Sequence, residues 1–356
     1  MTDKPPGGPE RPELGPLIEG LLDAAGAQRN RDQLREMIRN VVRLAQDQAD
    51  RLDLKIANAA LREMREGFEV FAPYRDVRKI TMFGSARTAR SEPLYAQARD
   101  LAARLAAQGW STVTGAGPGI MAAGLEGAGI DHSFGINIRL PFEQGANEFI
   151  AQDSKLVSMK YFFTRKLLLV KESHGYAVLP GGFGTLDEAF ELLTLLQTGK
   201  ATPAPVVLLD VPGGGYWEGW ERFVVEQVEG GRLIGPYDRN LYLITDDVGV
   251  AADEILGFYR NYQSIRHVGD TLVIRLRHAP SPQALADLSA RYADICAYGD
   301  ITALDGALSA ERRPEDHPEL PRIALHFDLM SYARLRALIR ELNTLAPSPE
   351  GPAGTG

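Results

Sequence analysis

Val178-Leu179-Pro180-Gly181-Gly182-Phe183-Gly184-Thr185-Leu186-Asp187-Glu188 runs from an apolar strand through three glycines directly into a helix. Without a Cβ, Gly181, Gly182 and Gly184 permit backbone angles and close approaches that let successive N–H groups turn toward one point. Thr185 adds a hydroxyl donor. The helix expected over 185–198 aims its positive end at the same place, worth roughly 0.3–2 kcal/mol to a bound phosphate. Glu188 follows one turn further in. A carboxylate does not help to hold a phosphate, so it is expected to face another part of a ligand, such as a sugar. Read alone, the stretch also fits a tight β-to-α turn in which the glycines serve packing and the acids serve the helix dipole.

Strands and helices alternate on both sides of this turn. Strands are expected at 79–83, 111–114, 133–140, 175–179, 205–209 and 241–245, and helices at 92–108, from 120 to about 127–129, and at 160–173. A longer connection spans 141–158. Repeated β–α units bounded by Gly and Pro indicate an α/β fold built on a doubly wound parallel sheet, covered on both faces. Ligands of such sheets sit at the carboxyl ends of the strands, where three Gly-rich turns fall.

The flanks read differently. Asn30 is expected to cap a helix, with Gln33 at the capping-box position and apolar residues at 34, 38, 41, 42 and 44. A second helix runs from Leu54 to Phe68. Beyond 268, strands at 271–276, 301–304 and 322–328 and helices at 281–292 and 332–342 suggest a small α+β domain with an antiparallel sheet. The expected organisation is a disordered tail over 1–14, an N-terminal helical segment over 15–75, the α/β domain over 76–263, the C-terminal domain over 268–345, and a disordered tail over 346–356.

The 356 residues are 44% hydrophobic and 24% charged, as in ordinary soluble proteins, with a net charge of −8. That sign opposes general binding to nucleic acid or to anionic membranes. The lone Cys296 leaves no disulfide framework and fits a reducing compartment. The first dozen residues are polar and Pro-rich, unlike a signal peptide, and no apolar run approaches ~18 residues, so a cytoplasmic location is expected.

The six histidines are scattered without ligand spacing, so neither a metal nor a Ser-His-Asp triad is indicated. Gly115-Ala116-Gly117-Pro118-Gly119 invites comparison with the dinucleotide fingerprint, but its third glycine comes one position early and it follows the second strand. There is no Walker A sequence, and nothing marks a Schiff-base lysine. No cofactor is expected. Two segments remain. Gly84 and Ser85, after the first strand, offer amides and a hydroxyl to a nucleotide, with Arg87 nearby. Arg165 and Lys166 open an otherwise apolar helix, where they also suit a solvated face with buried stems.

In order and spacing, the segments 83–87 (FGSAR), 114–121 (TGAGPGIM), 140–144 (LPFEQ), Arg165-Lys166 and Pro-Gly-Gly-x-Gly-Thr-x-x-Glu at 180–188 resemble the Lonely Guy (LOG) phosphoribohydrolases, often labelled lysine decarboxylases. The resemblance covers about residues 76–262. It implies a Rossmann-like domain that forms a homodimer or higher homo-oligomer and hydrolyses the N-glycosidic bond of nucleoside 5′-monophosphates, AMP-like or cytokinin-type. It implies Glu188 and Arg165 as catalytic residues. The substrate would be bound by Gly84, Ser85, Thr114, Gly115, Gly117, Lys166, Gly181, Gly182, Gly184 and Thr185. Phe162 stands where small members carry Met, and Ala122 where many carry Glu, departures that bear on base preference. A nucleotide-binding or carrier module using the same cradle without chemistry is the alternative.

Overall fold

The computed structural model describes residues 14–139, 145–311, 313 and 316–345. The expected tails and the 140–144 motif lie outside them, apart from Leu14 at the start of the first helix. The chain divides into two compact units, residues 1–62 and 63–356.

In the first unit, α1 (Leu14–Ala24) and α2 (Arg31–Gln46) precede the start of α3 (Arg51–Phe71). Glu19 on α1 binds Arg31 at 2.8 Å. The expected capping box does not form. Asn30 adopts a left-handed conformation (φ 54°) with no side-chain cap, and Gln33 instead donates to Asp32. Asn tolerates that conformation, and a residue spent on the turn cannot reach the N2 or N3 amide.

The second unit holds a seven-stranded sheet of β1 (Lys79–Phe83), β2 (Ser111–Thr114), β3 (Ser133–Ile138), β4 (Leu156–Met159), β5 (Gly175–Val178), β6 (Val206–Leu209) and β7 (Leu243–Thr245). The order is β4-β3-β2-β1-β5-β6-β7, and every pairing is parallel. Successive side chains of β1 point to opposite faces: Ile80 and Met82 enter one apolar core, and Phe83 the other. Thr81, fully buried, satisfies its hydroxyl on Leu169 O at 2.9 Å. The chain winds outward from β1 to β4 and then returns to place β5 on the far side of β1, so the strand order reverses between β1 and β5. Adjacent loops diverge there and leave a crevice. The covering helices include α4 (Pro93–Ala106), α5 (Ile120–Ala128), α6 (Phe162–Lys171), α7 (Phe183–Gln197), α8 (Tyr216–Phe223) and α9 (Val248–Gly257).

β4 begins within the end of the expected 141–158 connection and runs one residue past it. It has four residues, two of them only half-buried, too few to show a period.

The C-terminal part forms a four-stranded antiparallel sheet, β10-β11-β9-β8, from β8 (Tyr262–Val268), β9 (Thr271–Leu276), β10 (Cys296–Leu304) and β11 (Arg322–Phe327). The helices α10 (Pro282–Arg291) and α11 (Tyr332–Thr344) contribute to its apolar core. β8 has no counterpart among the expected strands, and β10 is expected only from 301. Register shifts at Tyr262/Ser264 and between Cys296 and Thr302 interrupt the two-residue alternation that betrays a strand. On the other face, the buried Arg275 and Arg322 share Glu311, at 2.7 and 3.3 Å, and Arg275 also pairs with Asp316 at 3.2 Å.

Candidate active site

Three loops leave the carboxyl ends of β1, β2 and β5 and are tied together by main-chain hydrogen bonds. Ser85 N donates to Pro180 O (3.2 Å), and Ile120 N donates to Ser85 O (3.0 Å). The Ser85 hydroxyl accepts from Arg87 N (3.1 Å), which leaves its own proton available to a ligand. Close packing explains the glycines. A methyl group at Gly84 would lie 2.6 Å from Ile120 Cγ2, and at Gly181 it would collide with the Thr185 side chain.

Below these loops opens a cavity of about 780 Å³. Of the residues expected to bind or act, Gly84, Ser85, Gly115, Arg165, Gly181, Gly182, Gly184, Thr185 and Glu188 line it. Thr114 does not. It is fully buried and its hydroxyl accepts from Ala116 N (3.1 Å), bracing the turn. Gly117 lies against Met121 and accepts from Asn147 Nδ2 through its carbonyl (2.8 Å). Lys166 stands behind Glu188 and is held in ion pairs.

The helix α7 begins directly on the glycine turn, with Gly182 as an extended N-cap. Gly182 O receives the first helical bonds, from Thr185 N and Leu186 N, both at 3.1 Å. The amides of residues 182–184 therefore precede the intrahelical ladder and sit at the positive end of the helix dipole. Gly182 and Gly184 have nothing within 4 Å of a would-be Cβ, so the approach to them is open. The Gly181 carbonyl is pinned by Tyr216 Oη (2.7 Å). Tyr216 lies 35 residues further on, and no sequence pattern connects the two.

Glu188 is only 8% exposed yet faces the cavity. Burial pushes its pKa above the usual carboxylate value, against the pull of Lys166 and Arg165. Lys166 resists the opposite effect: burial lowers its pKa, but Asp187 and Glu191 outweigh this and leave it raised. Arg165 docks on β3, its Nε donating to Ile136 O (3.0 Å). Gly115 gives the guanidinium room, because a methyl there would sit on Arg165 Nη2. A cradle of amides, a half-buried guanidinium and a carboxyl of raised pKa thus share one crevice. That set can hold an anion, stabilise charge and move a proton.

Among the described residues, no group of three His, Cys, Asp or Glu could hold a metal ion. Among them, no helix is long and apolar enough to cross a membrane.

Residues 107–255 match a family model described as possible lysine decarboxylase. The chain is similar to a probable cytokinin riboside 5′-monophosphate phosphoribohydrolase of Oryza sativa subsp. japonica, 29% identical over 182 residues, 49% of this chain and 74% of that protein. A second such probable enzyme, from Arabidopsis thaliana, is 39% identical over 70 residues, 20% of this chain and 33% of the relative. The chain thus spans about a third of the length of some curated relatives it matches. Among solved structures, the molybdenum cofactor carrier protein of Chlamydomonas reinhardtii aligns with a TM-score of 0.35 and 21% identity, covering 51% of this chain and 98% of the carrier. DNA processing protein A of Helicobacter pylori aligns with a TM-score of 0.36 and 16% identity, covering 51% and 82%.

Proposed function

We propose, from the premise that the segment 107–255 is a LOG-family domain, that this chain hydrolyses the N-glycosidic bond of nucleoside 5′-monophosphates. The products are a free base and ribose 5-phosphate. The observation that carries this reading is the buried Glu188 carboxyl facing the same cavity as the glycine turn and Arg165. A pure binder needs the amides but has no use for an acid beside them.

Cleavage passes through an oxocarbenium-like sugar, so the site must hold the phosphate and stabilise positive charge at the anomeric carbon. In this reading the amides of 182–184 and the Thr185 hydroxyl hold the 5′-phosphate. Glu188 as carboxylate stabilises the developing cation and takes a proton from the attacking water. The water oxygen bonds to C1′, the C1′–N bond breaks, and its electron pair leaves with the base, which takes a proton on nitrogen from solvent while Glu188 releases to solvent the one it took. Arg165 orients Glu188 and assists departure of the base. Ser85 and Gly84 contact the nucleotide, and Lys166 steadies Glu188.

The printed names of the relatives make a cytokinin riboside 5′-monophosphate one candidate substrate and AMP the simplest probe. A homodimer or larger assembly in the cytoplasm is the proposed setting. The exposed Phe162, Phe163 and Phe183, 53%, 54% and 94% accessible, are surfaces that a second copy could cover.

Chromatography of AMP incubated with the purified chain tests the proposal: free adenine is expected. A positioned acid–base group is worth roughly 10²–10⁴ in rate, so Glu188→Gln should lose that factor while remaining folded. Arg165→Ala should fall similarly. AMP that is bound but never cleaved would replace the hydrolase with a carrier.

A further inference from the structure

The N-terminus of α6 has no cap of its own: Tyr161 occupies the N-cap position without a side-chain hydrogen bond. Its place is taken from a distance by Glu63 on α3, a carboxylate only 4% exposed. Glu63 Oε1 accepts from Lys160 N (3.0 Å), and Oε2 accepts from Tyr161 N (3.4 Å) and from the buried Thr164 hydroxyl (2.7 Å). The negative charge meets the positive end of the helix, where dipole and amides both favour it.

The contact continues along α3. At Gly67, one turn on, a Cβ would collide with the Leu168 side chain, so Leu168 of α6 packs directly on the α3 backbone. Another turn on, Phe71 stacks on Phe134 with ring centroids 4.8 Å apart. Residues 63, 67 and 71 share one helix face, and the first two lie against α6. The residue after Thr164 is Arg165 and the next is Lys166. The carboxylate that fixes Thr164 thereby fixes the origin of both cationic side chains.

We propose that Glu63 is a positioning residue for the cleft: by capping α6 from α3 it holds Arg165 on Ile136 O and Lys166 behind Glu188. The inference rests on the hydrolase reading for its kinetic readout. It predicts that Glu63→Ala lowers kcat for AMP at least tenfold with KM changed less than threefold, because the glycine turn that holds phosphate is built on other elements. Glu63→Gln should recover most of the loss. Its amide oxygen accepts from Lys160 N, and its NH2 donates to Thr164 Oγ1, which keeps its own bond to Tyr161 O (2.9 Å). In an Arg165→Ala background, Glu63→Ala should cost clearly less than in the wild type, about threefold or under, since of the two cationic side chains only Lys166 is left for it to position.

An unchanged kcat in Glu63→Ala, or an undiminished loss in the Arg165→Ala background, would overturn the proposal. If Glu63→Ala does not fold, Thr164→Val removes one of the three bonds and should lower kcat at least threefold; wild-type kcat there would count against it. If the wild-type chain leaves AMP intact, the hydrolase reading fails separately. The positioning claim is then decided by a crystal structure of Glu63→Ala, or of Thr164→Val if that variant alone folds. Arg165 Nε displaced from Ile136 O supports the claim, and the 3.0 Å bond retained refutes it.

Discussion

Lys166 Nζ stands 3.7 Å from Glu188 Oε2, while its shorter ion pairs run to Glu191 (2.6 Å) and Asp187 (2.7 Å). The ammonium is anchored by two outer carboxylates and presents its field to the inner one. A nearby cation favours the carboxylate form, so Lys166 opposes the burial that raises the Glu188 pKa. Lys166→Met should move the acid limb of the pH profile of kcat/KM for AMP to higher pH. A limb that stays in place would show that Lys166 does not act on the group whose ionisation controls the rate.

Glu188 should also burden the fold. Its folded pKa lies above the unfolded value, so the folded state holds the proton more tightly and stability falls as pH rises through that window. The cost is fully present above the folded pKa. Glu188→Gln, nearly inactive, should therefore be more stable than wild type at pH 7.5, by about 1 kcal/mol. The gain should shrink as the pH approaches 4. Denaturant melts at the two pH values check this, and a variant less stable at pH 7.5 would contradict it.

Gly115 matters for Arg165 more than for its own backbone. Because a methyl there overlaps Arg165 Nη2 and comes within 2.8 Å of Met121 Sδ, Gly115→Ala should push the guanidinium out of place. A misplacement of about 1 Å can cost ~10²-fold in rate. The activity of Gly115→Ala on AMP should drop toward that of Arg165→Ala with the melting temperature little changed.

His174 gives the fold an acid-sensitive point far from the chemistry. Its Nδ1 accepts from Lys79 N (3.2 Å), and burial, reinforced by Arg78 and Lys79, lowers its pKa to about 4. Between that value and the ordinary one near 6.5, the unfolded chain binds the extra proton. Stability is thus present above about 6.5 and is lost as pH falls toward about 4, by roughly 3 kcal/mol at most. His174→Gln should flatten the dependence of melting temperature on pH between 7.5 and 4.5. An equally steep loss in the variant would assign the acid sensitivity elsewhere.

Much of the α/β sheet is legible in the chain because its strands are short apolar runs closed by glycine. β1 and β2 are read to the residue and β5 to within one. The strands that escape are β4, too short at four residues to show a period, and those whose period is broken: β8, bulged after Tyr262, and β10, bulged around Gly299. The glycine turns stand out because a missing Cβ leaves a mark in one letter. Glu63 and Tyr216 leave none. Each acts through bonds to residues 97 and 35 or more positions away, and nothing in an isolated Glu or Tyr records such a partner.

In the proposed reaction, an anion gripped by the amides of 182–184 brings a sugar against Glu188. It is tested most directly by identifying both products from AMP and the purified wild-type chain, with Glu188→Gln alongside. Adenine and ribose 5-phosphate are expected in equal amounts from wild type, and a yield lower by roughly 10²–10⁴ from the variant. Adenosine with inorganic phosphate, AMP left intact, or equal cleavage by Glu188→Gln would contradict it.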